Sequence, residues 1–197
     1  MESNEANIAN NNISRGKKIK KEIFSWMRVL IFAAAAAFVI NNVLIVNAAV
    51  PTGSMRDTIA VQARLVAFRL SYLFSEPQRL DVVVFRFPDD ESELHVKRII
   101  GLPDERVDII DGQVFISQRA AQPGEWYPPE LLDEWYLLET PHNQNLSFEV
   151  PPDSFFVMGD NRNQSLDSRG WNNTFLPREN ILGRAAFTYF PSLGIIR

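Results

Sequence analysis

From Val29 to Met55 the chain carries no charged side chain. An uncharged run of this length, apolar for most of it, belongs in lipid or in a deep core, and it restricts the fold more than any other feature. The apolar part runs Val29–Ile40, pauses at Asn41 and Asn42, and resumes at Val43–Val46. Counted from Ile23 to Val46 it holds 24 residues. At ~1.5 Å per residue a helix of that length crosses the ~30 Å hydrocarbon layer of a bilayer. Trp26 and Arg28 suit one interface, and the two asparagines fall near the other.

Charge gives the direction. Residues 1–28 hold six basic side chains against three acidic ones, whereas the rest of the chain carries about seven net negative charges. The positive-inside rule then divides the chain into a cytoplasmic basic tail (1–22), a transmembrane anchor (23–49) and an extracytoplasmic domain (50–197). An acidic body is a poor partner for nucleic acid. Val46-Asn47-Ala48 offers a competing reading, because small residues at its first and third positions suit a cleavable signal peptide.

With 46% hydrophobic and 22% charged residues, the outer domain has enough apolar surface to build a core. The absence of cysteine excludes disulfides, thiol catalysis and cysteine-ligated metals within this chain. His95 and His142 are too few for a multi-histidine metal site, and no cofactor is expected.

The body patterns as strands. Asp81–Phe87 is β-branched and aromatic between turn signals, and Leu94–Ile100 ends at Gly101-Leu102-Pro103. Arg106–Ile110 and Gln113–Ile116 flank Asp111-Gly112, a strong hairpin signal. Ser154–Met158 and Gly183–Phe190 are further strands, while Ala60–Phe74 reads equally as a helix or as paired strands. Asp89–Glu93 reads as a solvated turn. Residues 117–150 hold four prolines and a duplicated Glu-Trp-Tyr (125–127 and 134–136), and read as an insertion between core strands. The duplicated aromatics either pack the insertion or touch a membrane or substrate. The fold class is therefore mainly antiparallel β behind one transmembrane helix, with a small inserted β/loop subdomain.

Three segments carry chemistry. Lys97 is the one lysine beyond the tail, against 13 arginines, and it sits in an apolar strand. A desolvated lysine can lose its proton, which an arginine cannot. Val50-Pro51-Thr52-Gly53-Ser54-Met55 follows the apolar run directly, and Gly53 permits a turn that exposes the Ser54 hydroxyl. Gly159-Asp160-Asn161-Arg162, with Ser165, Asp167, Ser168 and Arg169, is a dense polar run after an apolar strand.

In chain order, Val50–Met55, Arg79–Phe85, the Lys97 strand and the Gly159–Arg169 run resemble the four sequence boxes of the bacterial type I signal peptidases. The resemblance covers Ile23 to Pro191. It implies a membrane-bound serine endopeptidase that removes signal peptides from exported preproteins, cutting after small residues of the Ala-X-Ala type. Ser54 would be the nucleophile and Lys97 the general base. The Ser54 N–H and the Thr52 hydroxyl would form the oxyanion hole, and Ser165 would orient the lysine amine. Asp160, Asp167 and Arg169 would brace the site, with Met55 packed beside the nucleophile. The family normally retains its anchor in the bacterial plasma membrane, which disfavours cleavage after Ala48. The lipid bilayer and preproteins are the implied partners, with the secretion machinery a further candidate. Three positions depart from the family: Asp57 stands where proline is usual, Leu80 where glycine is frequent, and Gly170-Trp171-Asn172 replaces an aromatic-Trp-Gly order. The rival readings are a Ser-Lys protease with another task and a non-catalytic anchored β-domain.

Overall fold

The structure, a computed structural model, describes residues 22–122 and 124–197. The expected basic tail therefore lies outside the described residues, apart from Glu22. The chain divides into two compact units, Met1–Val43 and Leu44–Arg197.

In the first unit a single helix, α1, spans Glu22–Leu44. Its apolar side chains, Leu30, Phe32 and Phe38 among them, are exposed on all sides. A helix apolar all round and unburied is suited to lipid. The Asn pair falls in a π-helical last turn, Ile40–Leu44, where Asn42 Nδ2 donates to the Phe38 carbonyl at 2.9 Å.

The helix stops five residues short of the expected anchor boundary at residue 49. Ile45–Val50 is instead a strand, β1, which buries Val46, Ala48 and Val50 and exposes Asn47 and Ala49. Period-two burial is what a half-buried strand needs. β1 pairs with β2 (Ala63–Phe68) from Ile45↔Phe68 to Val50↔Ala63. Val46-Asn47-Ala48 is thus part of a paired strand of the second unit, with Val46 and Ala48 in its core. The ambiguous Ala60–Phe74 segment resolves into β2 and a 3₁₀ turn at Arg69–Tyr72.

The other strands are β3 (Val82–Phe87), β4 (Asp90–Gly101), β5 (Glu105–Ile110), β6 (Gln113–Gln118), β7 (Glu130–Leu131), β8 (Leu146–Glu149), β9 (Ser154–Met158), β10 (Leu176–Pro177), β11 (Ile181–Phe190) and β12 (Gly194–Ile195). The larger sheet runs β1-β2-β11-β3-β4-β9-β10, with β12 beside β11; the smaller runs β7-β6-β5-β8. Every pairing is antiparallel.

Local chemistry explains the details. Asp111 and Gly112 turn the β5–β6 hairpin with φ of 50° and 82°, as a two-residue turn with both angles positive requires. Asp90–Glu93 form the exposed start of β4 rather than a turn. Only Pro88 and Asp89 turn the chain, and the Asp89 carboxylate accepts the N–H groups of Asn172 and Asn173. The insertion is narrower than 117–150, because Ser117 and Gln118 complete β6 and Leu146–Glu149 pairs with β5 as β8.

β3 and β4 run through the middle of the larger sheet, and their facing stretches, Val82–Phe85 and Val96–Gly101, are buried on both faces. Val82 and Val84 pack into one apolar cluster with Met55, Ile59 and Val96. Val83 and Phe85 pack into another with Ile99, Phe155 and Trp171. A stretch buried on both faces leaves the side chain of Lys97 little contact with water.

Candidate active site

Ser54 lies just beyond β1, in a tight loop closed by hydrogen bonds from Arg56 N to Gly53 O and from Thr58 N to Met55 O. Gln62 N reaches back to Val50 O at 2.7 Å, tying the loop's two ends together. Met55 is fully buried and fixes the loop to the core. Lys97 comes from the centre of β4, opposite Val83 of β3. Its Nζ and the Ser54 Oγ share a hydrogen bond of 2.5 Å. Ser54 is 6% exposed and Lys97 4%. Thr52 Oγ1 lies 3.4 Å from Ser54 Oγ on the exposed side of the loop.

Burial lowers the Lys97 pKa from the usual 10.5 to about 8. The negative charges of Asp167 and Asp160 pull it back up, and Arg169 works with the burial. An amine with this pKa is unprotonated in roughly a tenth of molecules at pH 7 and in about half at pH 8, against well under a thousandth at pH 7 for an ordinary lysine.

The loop after β9 completes the site. Asp160 takes a forked pair of bonds from Arg98, Nε at 2.9 Å and Nη2 at 2.7 Å, and accepts the Thr58 hydroxyl. Asp167 takes both arms of Arg169, at 2.8 and 2.9 Å, and the Gly159 N–H at 2.9 Å. Burial alone would raise the Asp167 pKa; the guanidinium more than offsets it and holds the carboxyl below its usual range. Asn161 grips the nucleophile loop twice, its N–H on Ser54 O and its side-chain amide on Gly53 O, each at 3.0 Å. Gly159 has no room for a side chain, since a Cβ there would stand 2.5 Å from Ser54 O and 2.2 Å from Ser165 Oγ.

The structure brings Ser54, Lys97, Thr52, Met55, Asp160, Asp167 and Arg169 together. Ser165 also reaches the site; its buried Oγ makes no hydrogen bond to the lysine amine and instead lies near the Asp167 carboxylate, whose pKa it helps to lower. It packs against Gly159, beside the Ser54 carbonyl. Sequence reasoning missed Arg98, Thr58 and Asn161. Arg98, fully buried, also donates to Leu80 O at 2.8 Å. Leu80 sits at φ 70°, a left-handed conformation that costs a leucine ~1–2 kcal/mol and would cost a glycine little. His95 stacks on Phe87 at 4.4 Å and edges Trp171, as a structural residue would.

The signal peptidase, peptidase S26, family matches residues 23–190. The chain is similar to a signal peptidase I of Leptolyngbya laminosa, 39% identical over 150 residues that make up 72% of this chain and 67% of that one. It is also similar to a probable signal peptidase I-2 of Synechocystis, 32% identical over 191 residues, 91% and 82% of the two chains. A crystal structure of a signal peptidase I from Enterococcus faecalis V583 aligns at 28% identity with a TM-score of 0.37, over 56% of this chain and 97% of that one. With a family match across most of its length and relatives above 30% identity, this chain belongs to the signal peptidase, peptidase S26, family of serine peptidases.

Proposed function

We propose that the chain removes signal peptides from exported preproteins, with Ser54 as nucleophile and Lys97 as general base. One observation carries this reading: the Ser54 hydroxyl touches a buried amine whose pKa is lowered to about 8. A serine hydroxyl needs such a base before it attacks an amide.

The reaction follows from the contacts. Neutral Lys97 Nζ takes the Ser54 proton as Oγ attacks the carbonyl carbon of the scissile bond. The oxyanion that forms is held by the Ser54 N–H and the Thr52 hydroxyl. The Lys97 ammonium gives its proton to the departing amine, leaving an acyl-serine. A water then attacks the ester with Lys97 as base, and Ser54 Oγ departs with the proton. This is the triad logic with one residue as base.

Further observations support the substrate. The 23-residue apolar helix fits a membrane-anchored enzyme. We read residues 1–22 as cytoplasmic, residues 23–49 as the anchor with its helix ending at Leu44, and residues 50–197 as the extracytoplasmic catalytic domain, in a bacterial plasma membrane. β1 ends the larger sheet and leads straight to Ser54, so an extended substrate can pair along it. The preferred sites carry small residues, typically alanine, at the last and third-last positions of the signal.

The test is cleavage of an Ala-X-Ala preprotein by the detergent-solubilised chain, with a phenylalanine variant of the last signal residue beside it. Cleavage of the first and rejection of the second is expected. Equal cleavage of both, or cleavage of neither, contradicts the reading.

Thr52→Val tests the oxyanion hole. The Ser54 N–H remains, so kcat is expected to fall by ~10²-fold, the lower end for loss of one oxyanion donor, with KM little changed. An unchanged kcat removes Thr52 from that role.

A further inference from the structure

Between β7 and β8 the chain runs from Leu132 to Asn145 without a strand or a helix. Fixing irregular backbone costs ~1–2 kcal/mol per residue, so a stretch of this kind is ordered only where side chains hold it. Here the holding contacts converge on the two loops that form the active site. Glu134 and Tyr136 bind the buried Arg162, Tyr136 Oη accepting from its Nη2 at 2.9 Å. Tyr136 is itself buried, with its ring 4.1 Å below the Arg98 guanidinium. Asn163 donates to Thr140 O and accepts from His142 N.

The other end of the contact set lies on the nucleophile loop. Leu138 N–H donates to Asp57 Oδ2 at 3.1 Å, and Glu139 pairs with Arg56. The Asp57 side chain is only 4% exposed although its residue stands three positions after Ser54. From behind, the segment rests on the β5–β6 turn: Gly112 N donates to Gln144 O, and a Cβ on Gly112 would meet the His142 carbonyl at 2.8 Å. The smaller sheet therefore backs a strap that bears on both active-site loops.

We propose that this strap is a clamp that positions Ser54 against Lys97, with Asp57 as the positioning residue through which it acts. The carboxylate serves as an acceptor for the Leu138 N–H. Its ion pair with Arg56, at 3.7 Å on a partly exposed arginine, adds little. The two Glu-Trp-Tyr copies are then unequal. Tyr136 locks the clamp, whereas Trp126 of the first copy stacks under Arg119 at 4.8 Å, away from the contacts above.

The proposal rests on the peptidase reading, and its test separates the two. Asp57→Ala and Asp57→Asn are compared in the full chain in detergent by kcat, KM and amide hydrogen exchange at Thr58 and Ile59. Asp57→Ala is expected to lower kcat by about tenfold, a fraction of the ~10²-fold that a 1 Å misplacement costs, with KM within about twofold. Exchange at the two amides is expected to rise by about tenfold, as loosened loop hydrogen bonds open more often. Asp57→Asn keeps an acceptor and restores both. Tyr136→Phe, which keeps the ring over Arg98 but loses the hydroxyl, gives the same direction if the alanine variant does not fold. Wild-type exchange and kcat in Asp57→Ala overturn the clamp, and so does a raised KM at unchanged kcat, which would make the strap a substrate contact. If the wild type itself cleaves no preprotein, the peptidase reading fails, and the exchange rates still decide the clamp.

Discussion

Lys97→Arg is expected to abolish preprotein processing, by at least ~10⁴-fold in kcat, and Ser54→Ala to do the same. The two residues act on one proton, so either loss removes the same step. Arginine keeps a positive charge in the same strand but does not release its proton at any working pH. Activity in the arginine variant would make Lys97 a structural cation. Lys97→Met keeps the length, removes the charge and is expected to be equally inactive while folded. Its stability carries a second signature. The folded pKa of Lys97, about 8, lies below the usual 10.5, so the unfolded chain binds more protons between these values. Burying the lysine thus costs stability, fully below pH ~8 and progressively less up to ~10.5. The methionine variant should be at least as stable as wild type at pH 7, and its advantage should shrink by pH 10. Denaturant melts at the two pH values read this directly.

Asp160→Ala is expected to destabilise the fold by ~3–5 kcal/mol, because it leaves a fully buried Arg98 without its counter-charge. It also strips the Thr58 hydroxyl of its acceptor, in the loop that carries Ser54. In a domain of this size such a loss lowers Tm by roughly 10 °C. Adding Arg98→Met should recover part of it, since removing both charges is far less costly than removing one. A loss under ~1 kcal/mol in the single variant, or no recovery in the double one, would mean that the pair does not brace the site.

How much of this was legible depended on whether a residue's type differed from what its surroundings demand. Lys97 stood out as a lysine among arginines in an apolar strand, and the structure puts it beside Ser54. Arg98, its neighbour, did not. In an alternating strand one of two adjacent cations is read as pointing to water, but the second half of β4 is covered on both faces, so both are buried. The end of α1 was equally hidden, because Ile45-Val46 continues an apolar helix as well as it starts a strand. The partner that decides, β2, lies some 18 residues further on. Asp57 looked like a simple departure from its family, and its role depends on a backbone N–H 81 residues away. Ser165 was legible as a site residue, while its hydrogen bonding was not.

Activation of Ser54 by a neutral Lys97 is the central step, and the pH dependence of kcat/KM for the wild-type chain tests it most directly. This ratio reports the ionisation of the free enzyme. A base must be unprotonated to act, so the rate should rise tenfold per pH unit on the acid side and level off above a midpoint near 8, where Lys97 titrates. His95 lies below the usual histidine range because it is partly buried, so it cannot supply a limb at that pH. A profile flat between pH 6 and 9, or one with its midpoint in the histidine range, would contradict Lys97 as the base.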